Sequence, residues 1–211
     1  MEGLLEQTIP FGICIIALTT FYLILRSKFQ DNVSQRSWIL TLASSVVTSI
    51  SGTYHLYMVV AHGWEPYIFT HSPFSQVTLV YFIAYLCLDL LIGVIDYRSK
   101  ITFLAGWVHH TCYMMMLTYL LLRGQSIPFC LFLFEEIPTA TFSVGFLYKR
   151  WRHDNLFGGT YLVTRLLLHM YLMKHIYELD VIGWPFAFAV LPLHFYWFSE
   201  WIMQQRRLRS K

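Results

Sequence analysis

The chain has 211 residues, of which 56% are apolar and only 13% charged, with a formal net charge of +3 and a mean hydropathy of +0.51. Soluble domains carry about 25% charged residues, so this composition excludes an ordinary water-soluble globule and indicates a membrane protein. There is no internal repeat, low-complexity tract or Gly/Ser/Pro linker, so the chemistry is confined to one bundle.

A hydrocarbon core about 30 Å thick requires about 20 residues of helix. Seven runs of this kind are expected, at 9–25, 38–61, 77–95, 102–122, 126–147, 157–177 and 181–203. Glu2 and Glu6, rather than a cationic stretch, stand before the first run, which therefore reads as a retained anchor and not a cleaved signal. Glu135, Glu136, Pro128 and Pro138 interrupt the fifth. A helix is still expected there, because packed neighbours absorb proline kinks at bilayer depth.

Lys and Arg set the orientation. With the amino terminus lumenal, twelve of them, from Arg26 to Lys211, fall in cytosolic segments, against only Arg123 and Lys174 on the lumenal side. The chain then divides into an amino-terminal segment with its helix and cytosolic loop (1–37), a six-helix region (38–203) and a basic cytosolic tail (204–211). The sequon Asn32-Val33-Ser34 falls on the cytosolic side, where it stays unglycosylated. Cys14, Cys87, Cys112 and Cys130 sit in four separate runs, which suits small buried hydrophobes rather than a disulfide framework or metal knuckle. The basic loops suit orientation and anionic lipid headgroups, and no nucleic-acid module accompanies them.

Ionisable groups in lipid are costly, and they point into the bundle or a wet cavity. Counted along the helix from the cytosolic end of each run, Asp89, His109, His110, Arg165, His194, Glu136 and His169 lie at depths between about 10 and about 18 Å. Five different runs thus contribute to one polar layer, where acidic and basic groups can satisfy one another. His55 falls outside the layer and reads as an interfacial residue. Glu135 faces about 100° away from Glu136 on an ideal helix and reads equally as a lipid-side or interfacial outlier. A purely structural ion-pair network would explain the layer too, but neutral imidazoles need no counter-ion and titrate near neutrality.

His109 and His110 point about 100° apart on a helix, so one can act while the other orients. The pair lacks the His-x-x-x-His spacing of a metal site, and no metal or cofactor is expected. A histidine backed by a carboxylate, Asp89 or Glu136, is the minimal unit for activating a hydroxyl or amine or for accepting an acyl group. Met114, Met115 and Met116 extend this helix as flexible apolar lining.

Taken in order, Tyr85-Leu86-Cys87-Leu88-Asp89, His109-His110, Arg123-Gly124, Glu136-Ile137-Pro138-Thr139, Arg165 and Leu191-Pro192-Leu193-His194-Phe195-Tyr196-Trp197 resemble the TLC-domain family, which includes the ceramide synthases. The resemblance implies an all-α polytopic protein, with six helices forming a barrel around a polar cavity and one extra helix before it. It implies transfer of an acyl chain from acyl-CoA to a lipid amine or alcohol in the endoplasmic reticulum, with His109, His110 and Asp89 catalytic. Glu136, Thr139, Arg165, His169 and His194 would then contact substrate, and membrane lipids would be the partners.

The chain departs from the ceramide synthases in having Cys112, a methionine run and Glu135-Glu136 where they carry polar and aspartate-rich segments. It is more similar to the small TLC proteins with a Glu-x-Ser-Thr-Pro motif, although Pro138 stands for the Ser and Ala140 for the Pro. That branch resembles regulators of membrane lipid composition. A non-catalytic lipid-binding or cargo-handling protein is the alternative reading, since a fold does not dictate a function.

Overall fold

The computed structural model describes residues 7–210, so Glu2, Glu6 and Lys211 of the terminal readings lie outside the described residues. The described chain is all-helical. We label α1 Thr8–Arg26, α2 Ile39–His62 and α3 Pro73–Asp96. α4 is a π-helical turn, Phe103–Val108, running into the α-helix His109–Leu122. α5 joins Ile127–Phe132, a 3₁₀ stretch Leu133–Glu136 and Ile137–Leu147. α6 joins Asp154–Tyr161, a π-helical stretch Leu162–Leu168 and His169–Glu178, and α7 is Trp184–Arg209.

Local chemistry explains the boundaries. Ser72 caps α3 by accepting a hydrogen bond from the Ser75 amide at 3.3 Å, and Pro73 occupies the first turn, where no backbone donor is needed. Gly63, with φ of 84°, closes α2, and Gly183, with φ of 102°, opens α7, both in the left-handed region that suits glycine. Asn32 of the sequon caps the short helix Val33–Arg36, its Oδ1 accepting from the Gln35 amide at 3.1 Å.

The break within α5 has a specific cause. Pro138 has no N–H to offer the Phe134 carbonyl four residues earlier. The Ile137 amide bonds that carbonyl instead, which tightens Leu133–Glu136 into a 3₁₀ turn.

α2 is central, packing on α1, α3 and α5; α3 also packs on α4, α5 on α6, and α6 on α7. Its buried face is built from Ser44, Ser45, Thr48, Ser51, Gly52 and His55, small and polar groups that allow backbones to approach closely where no hydrophobic driving force operates. A Cβ on Gly52 would fall on the backbone of Leu133 and Phe134. Several of the hydroxyls are satisfied internally: Thr48 donates to the Ser44 carbonyl at 2.7 Å, while Ser51 meets Thr78 at 3.0 Å and Ser75 meets Ser126 at 2.6 Å across helices. At one end of the bundle Asp96 of α3 collects Arg26 through Nε at 2.7 Å and Nη2 at 3.0 Å, the Tyr22 hydroxyl, and Arg36 at 3.4 Å. This fork fixes α1 against α3.

Among the described residues three helices, Thr8–Phe29, Pro73–Asp96 and Ile127–Leu147, are long and apolar enough to cross a membrane. The third is the run that carries Glu135, Glu136 and two prolines. The other rods of the bundle are split by π-helical turns or hold Ser, Thr, His and Arg on their inner faces. Apolar side chains such as Ile9, Ile13, Ile16, Val60, Ile95 and Phe103 face outward.

His55 is buried within the bundle: it is 0% exposed, with Nδ1 2.7 Å from the Tyr67 hydroxyl and its ring stacked on Phe74. The short helix Trp64–Ile68 brings Tyr67 back over it, a fold-back that helical depth alone does not reveal. In the methionine run, Met116 lines the central cavity, whereas Met115 faces outward.

Gly52→Ala is expected to lower the thermal unfolding midpoint of the detergent-purified protein, since overpacking costs roughly 1–3 kcal/mol. Gly12→Ala, whose Cβ meets nothing within 4 Å, is the control and should leave the midpoint at or above that of the parent. Equal midpoints for the two variants would show that the α2–α5 approach is not tight.

Candidate functional site

The helices enclose a cavity of about 670 Å³. Aromatic and aliphatic groups, among them Trp38, Tyr85, Tyr113 and Phe186, form most of its wall. Asp89, His109, His110, Glu136, Thr139, Arg165 and His194 line it as well, and so does Glu135; His169 stands behind the wall. The polar side chains fall into three groups.

The first group joins α3 and α4. His110 Nε2 lies 3.1 Å from Asp89 Oδ2, with both side chains largely buried. The angle is too poor for a directed hydrogen bond, and both ring nitrogens of His110 are sealed from solvent. We therefore read this contact as electrostatic and positional. Tyr97 donates to the other carboxylate oxygen of Asp89 at 2.6 Å and to its carbonyl at 3.2 Å. Burial and the Asp89 carboxylate hold the Tyr97 hydroxyl well above the usual phenol range, so it stays protonated and keeps donating.

His109 behaves differently. Its ring leans on Tyr113 at a centroid distance of 4.4 Å, it is half-buried, and it lines the cavity. It has no hydrogen-bond partner among the described residues, and neither of its nitrogens is sealed. The two adjacent histidines thus divide: His110 is tied to Asp89, and His109 presents its ring to the cavity.

The second group joins α5 and α6. Arg165 donates from Nε to the Glu135 carbonyl at 2.9 Å, and from Nη2 to Glu136 Oε1 and Thr139 Oγ1, each at 2.8 Å. Its guanidinium also lies over the Tyr161 ring, 5.6 Å from the centroid. A single planar fork therefore holds one main-chain and two side-chain oxygens, a task that matches Arg and not Lys.

The third group centres on Glu135. Its Oε1 lies 2.8 Å from His169 Nδ1 and its Oε2 lies 3.2 Å from His194 Nε2. His169 Nε2 in turn faces the Ala187 carbonyl at 3.0 Å. All three side chains are buried: Glu135 is 5% exposed, His169 2% and His194 3%. The lipid-side or interfacial reading of Glu135 is therefore wrong. Adjacent residues point about 100° apart in an α-helix and about 120° apart in a 3₁₀ turn of three residues, yet the long side chains of Glu135 and Glu136 both reach partners on α6, His169 and Arg165.

Each backbone irregularity abuts the site. His109 is the first residue after the π-helical Phe103–Val108. Arg165 lies inside the π-helical Leu162–Leu168, and His169 follows it directly. Such π segments occur at functional sites because they reorient a side chain without ending the helix. Sequence reasoning passed over Tyr97 and misplaced Glu135; Pro138, three residues beyond Glu135, was the available signal.

Comparison of the chain with protein-family models, with curated proteins and with solved structures gave no match.

Arg165→Lys is expected to destabilise the protein by about 1.5–3 kcal/mol, the value of hydrogen bonds to charged groups. One ammonium cannot satisfy Glu136, Thr139 and the Glu135 carbonyl together. Thermal unfolding in detergent measures this, and an unchanged midpoint would show that the fork contributes nothing to stability.

Proposed function

We propose that this chain is a membrane-embedded acyltransferase of the TLC kind, moving an acyl group from acyl-CoA to a lipid amine or alcohol. The observation that carries this reading is His109: an unpartnered imidazole presented to a largely apolar cavity, beside a second histidine backed by Asp89 and Tyr97. Among site residues, an imidazole with a free nitrogen is a natural acceptor for the proton of an attacking hydroxyl or amine. The cavity volume lies within the range of about 300–1,000 Å³ typical of small-molecule sites, and its aromatic walls suit an acyl chain.

In this reading the six helices of residues 38–203 form the TLC-type barrel, all seven helices span the endoplasmic reticulum membrane, and the amino terminus is lumenal. The attacking amine or hydroxyl gives its proton to His109 as the new C–N or C–O bond forms at the thioester carbonyl. The C–S bond then breaks, and the CoA thiolate leaves and takes that proton. His110, held by Asp89, fixes the position of its neighbour and supplies a buried dipole near the reacting carbonyl. Arg165 uses Nε and Nη2 for its protein contacts, which leaves Nη1 for a headgroup oxygen.

Purified protein should convert acyl-CoA and a lipid amine or alcohol to the acylated lipid and free CoA. His109→Ala and His109→Gln should each lower the rate by about 10²- to 10⁴-fold, the usual contribution of a positioned acid–base group. Failure to form product or an acyl adduct across a broad substrate panel, with cellular lipids unchanged by His109→Ala, would eliminate the enzyme. If a lipid nevertheless copurifies and is retained by His109→Gln, the cavity serves recognition.

A further inference from the structure

We propose that Glu135, His169 and His194, drawn from α5, α6 and α7, bind one divalent first-row transition metal of the zinc class, with an open coordination position facing the cavity. One potential ligand atom from each residue lies within 4.8 Å of the others, and all three side chains are buried.

The protons of the metal-free cluster make the case. His169 Nε2 faces the Ala187 carbonyl at 3.0 Å. A carbonyl only accepts, so Nε2 carries a proton. Nδ1 of the same ring faces a carboxylate oxygen at 2.8 Å. A neutral imidazole has one N–H, so a second proton must lie between Nδ1 and Glu135 Oε1. A dication can replace that proton, taking the Nδ1 lone pair and the carboxylate together. His169 would then resemble a metal-bound histidine, whose second N–H is characteristically held by a carbonyl or carboxylate.

His194 supplies the independent observation. Its Nε2 lies 3.2 Å from Glu135 Oε2 but lacks hydrogen-bond geometry, and its Nδ1 has no partner among the described residues; both atoms are sealed from solvent. A buried imidazole with neither nitrogen satisfied is costly. Coordination through Nε2 removes the deficit at that atom.

Two nitrogens and a carboxylate, with no sulfur and no cage of oxygens, favour zinc and its neighbours over calcium or magnesium. Glu136 cannot complete the set, because Arg165 already holds it at 2.8 Å. Three protein ligands leave a place for water or a substrate oxygen. Glu135 and His194 line the cavity while His169 does not, which places the opening on the cavity side. Binding exchanges one dication for the proton shared by His169 and Glu135, and requires the His194 proton to sit on Nδ1.

The inference does not depend on acyl transfer, and its test reads metal rather than turnover. Full-length protein in detergent is stripped with a chelator and re-equilibrated with Zn²⁺ or Co²⁺, and metal per chain is then measured. We expect about one zinc per chain, and an intense visible spectrum of four- or five-coordinate Co(II). His194→Gln, which keeps volume and polarity, and His169→Ala should each weaken binding at least about tenfold. Substoichiometric zinc in the wild-type chain, a weak spectrum like that of aqueous Co(II), or full retention of metal by His194→Gln would each overturn the site. The wild-type Co(II) spectrum decides the matter even where a variant does not fold.

Discussion

A carboxylate shut away from water must be matched by the groups around it, and this requirement at Glu135 organises much of the bundle. Its side chain is met by His169 and His194, and its own carbonyl is met by Arg165. Three helices are thereby committed to a common register. The next residue, Glu136, is held by the same arginine, so removing Arg165 would strand two adjacent acceptors. Arg165 thus links Glu135 through its backbone and Glu136 through its side chain.

The backbone bends to meet these demands. On α5, Glu135 and Thr139 stand four residues apart and Glu136 and Thr139 three, spacings that share one helix face, and all three meet α6. The 3₁₀ turn forced by Pro138 and the π-helical turns before His109 and around Arg165 lie directly beside the groups they carry into the site. Gly52 then allows α2 to lie directly on that turn, so the position of the buried acid depends on a side chain that is not there. Small residues along α2 and irregular turns in α4, α5 and α6 are two parts of one solution.

The cavity has two polar poles set in a mostly apolar wall. One is the His109, His110 and Asp89 group of α3 and α4 with Tyr97, the residue that follows α3; the other is formed by Glu135, Glu136, Arg165 and His194 of α5, α6 and α7. At the first pole, a histidine with free nitrogens stands beside one that is locked. At the second, most donors and acceptors are already engaged. This asymmetry is the physical basis for the proposed separation of a reacting role at His109 from a holding role at the arginine side.

Composition and hydropathy by themselves determined that the chain is helical and belongs with a membrane, because few charges and long apolar runs leave little else. Depth along each run also marked Asp89, His109, His110, Glu136, Arg165, His169 and His194 as residues to examine, since acids and bases in an apolar layer must find partners at similar height. The resemblance added Thr139 to that set. Only the tertiary structure decided the partnerships. Glu135 was misplaced because its angle to Glu136 does not reveal which neighbours a long side chain reaches, and the contact of His55 with Tyr67 depends on a fold-back that linear depth does not show. The choice between His109 and His110 rested on Asp89 and Tyr97, which approach from another helix. Sequence periodicity records which residues are polar, whereas the direction of each side chain is fixed by local backbone breaks and by the neighbours that those breaks admit.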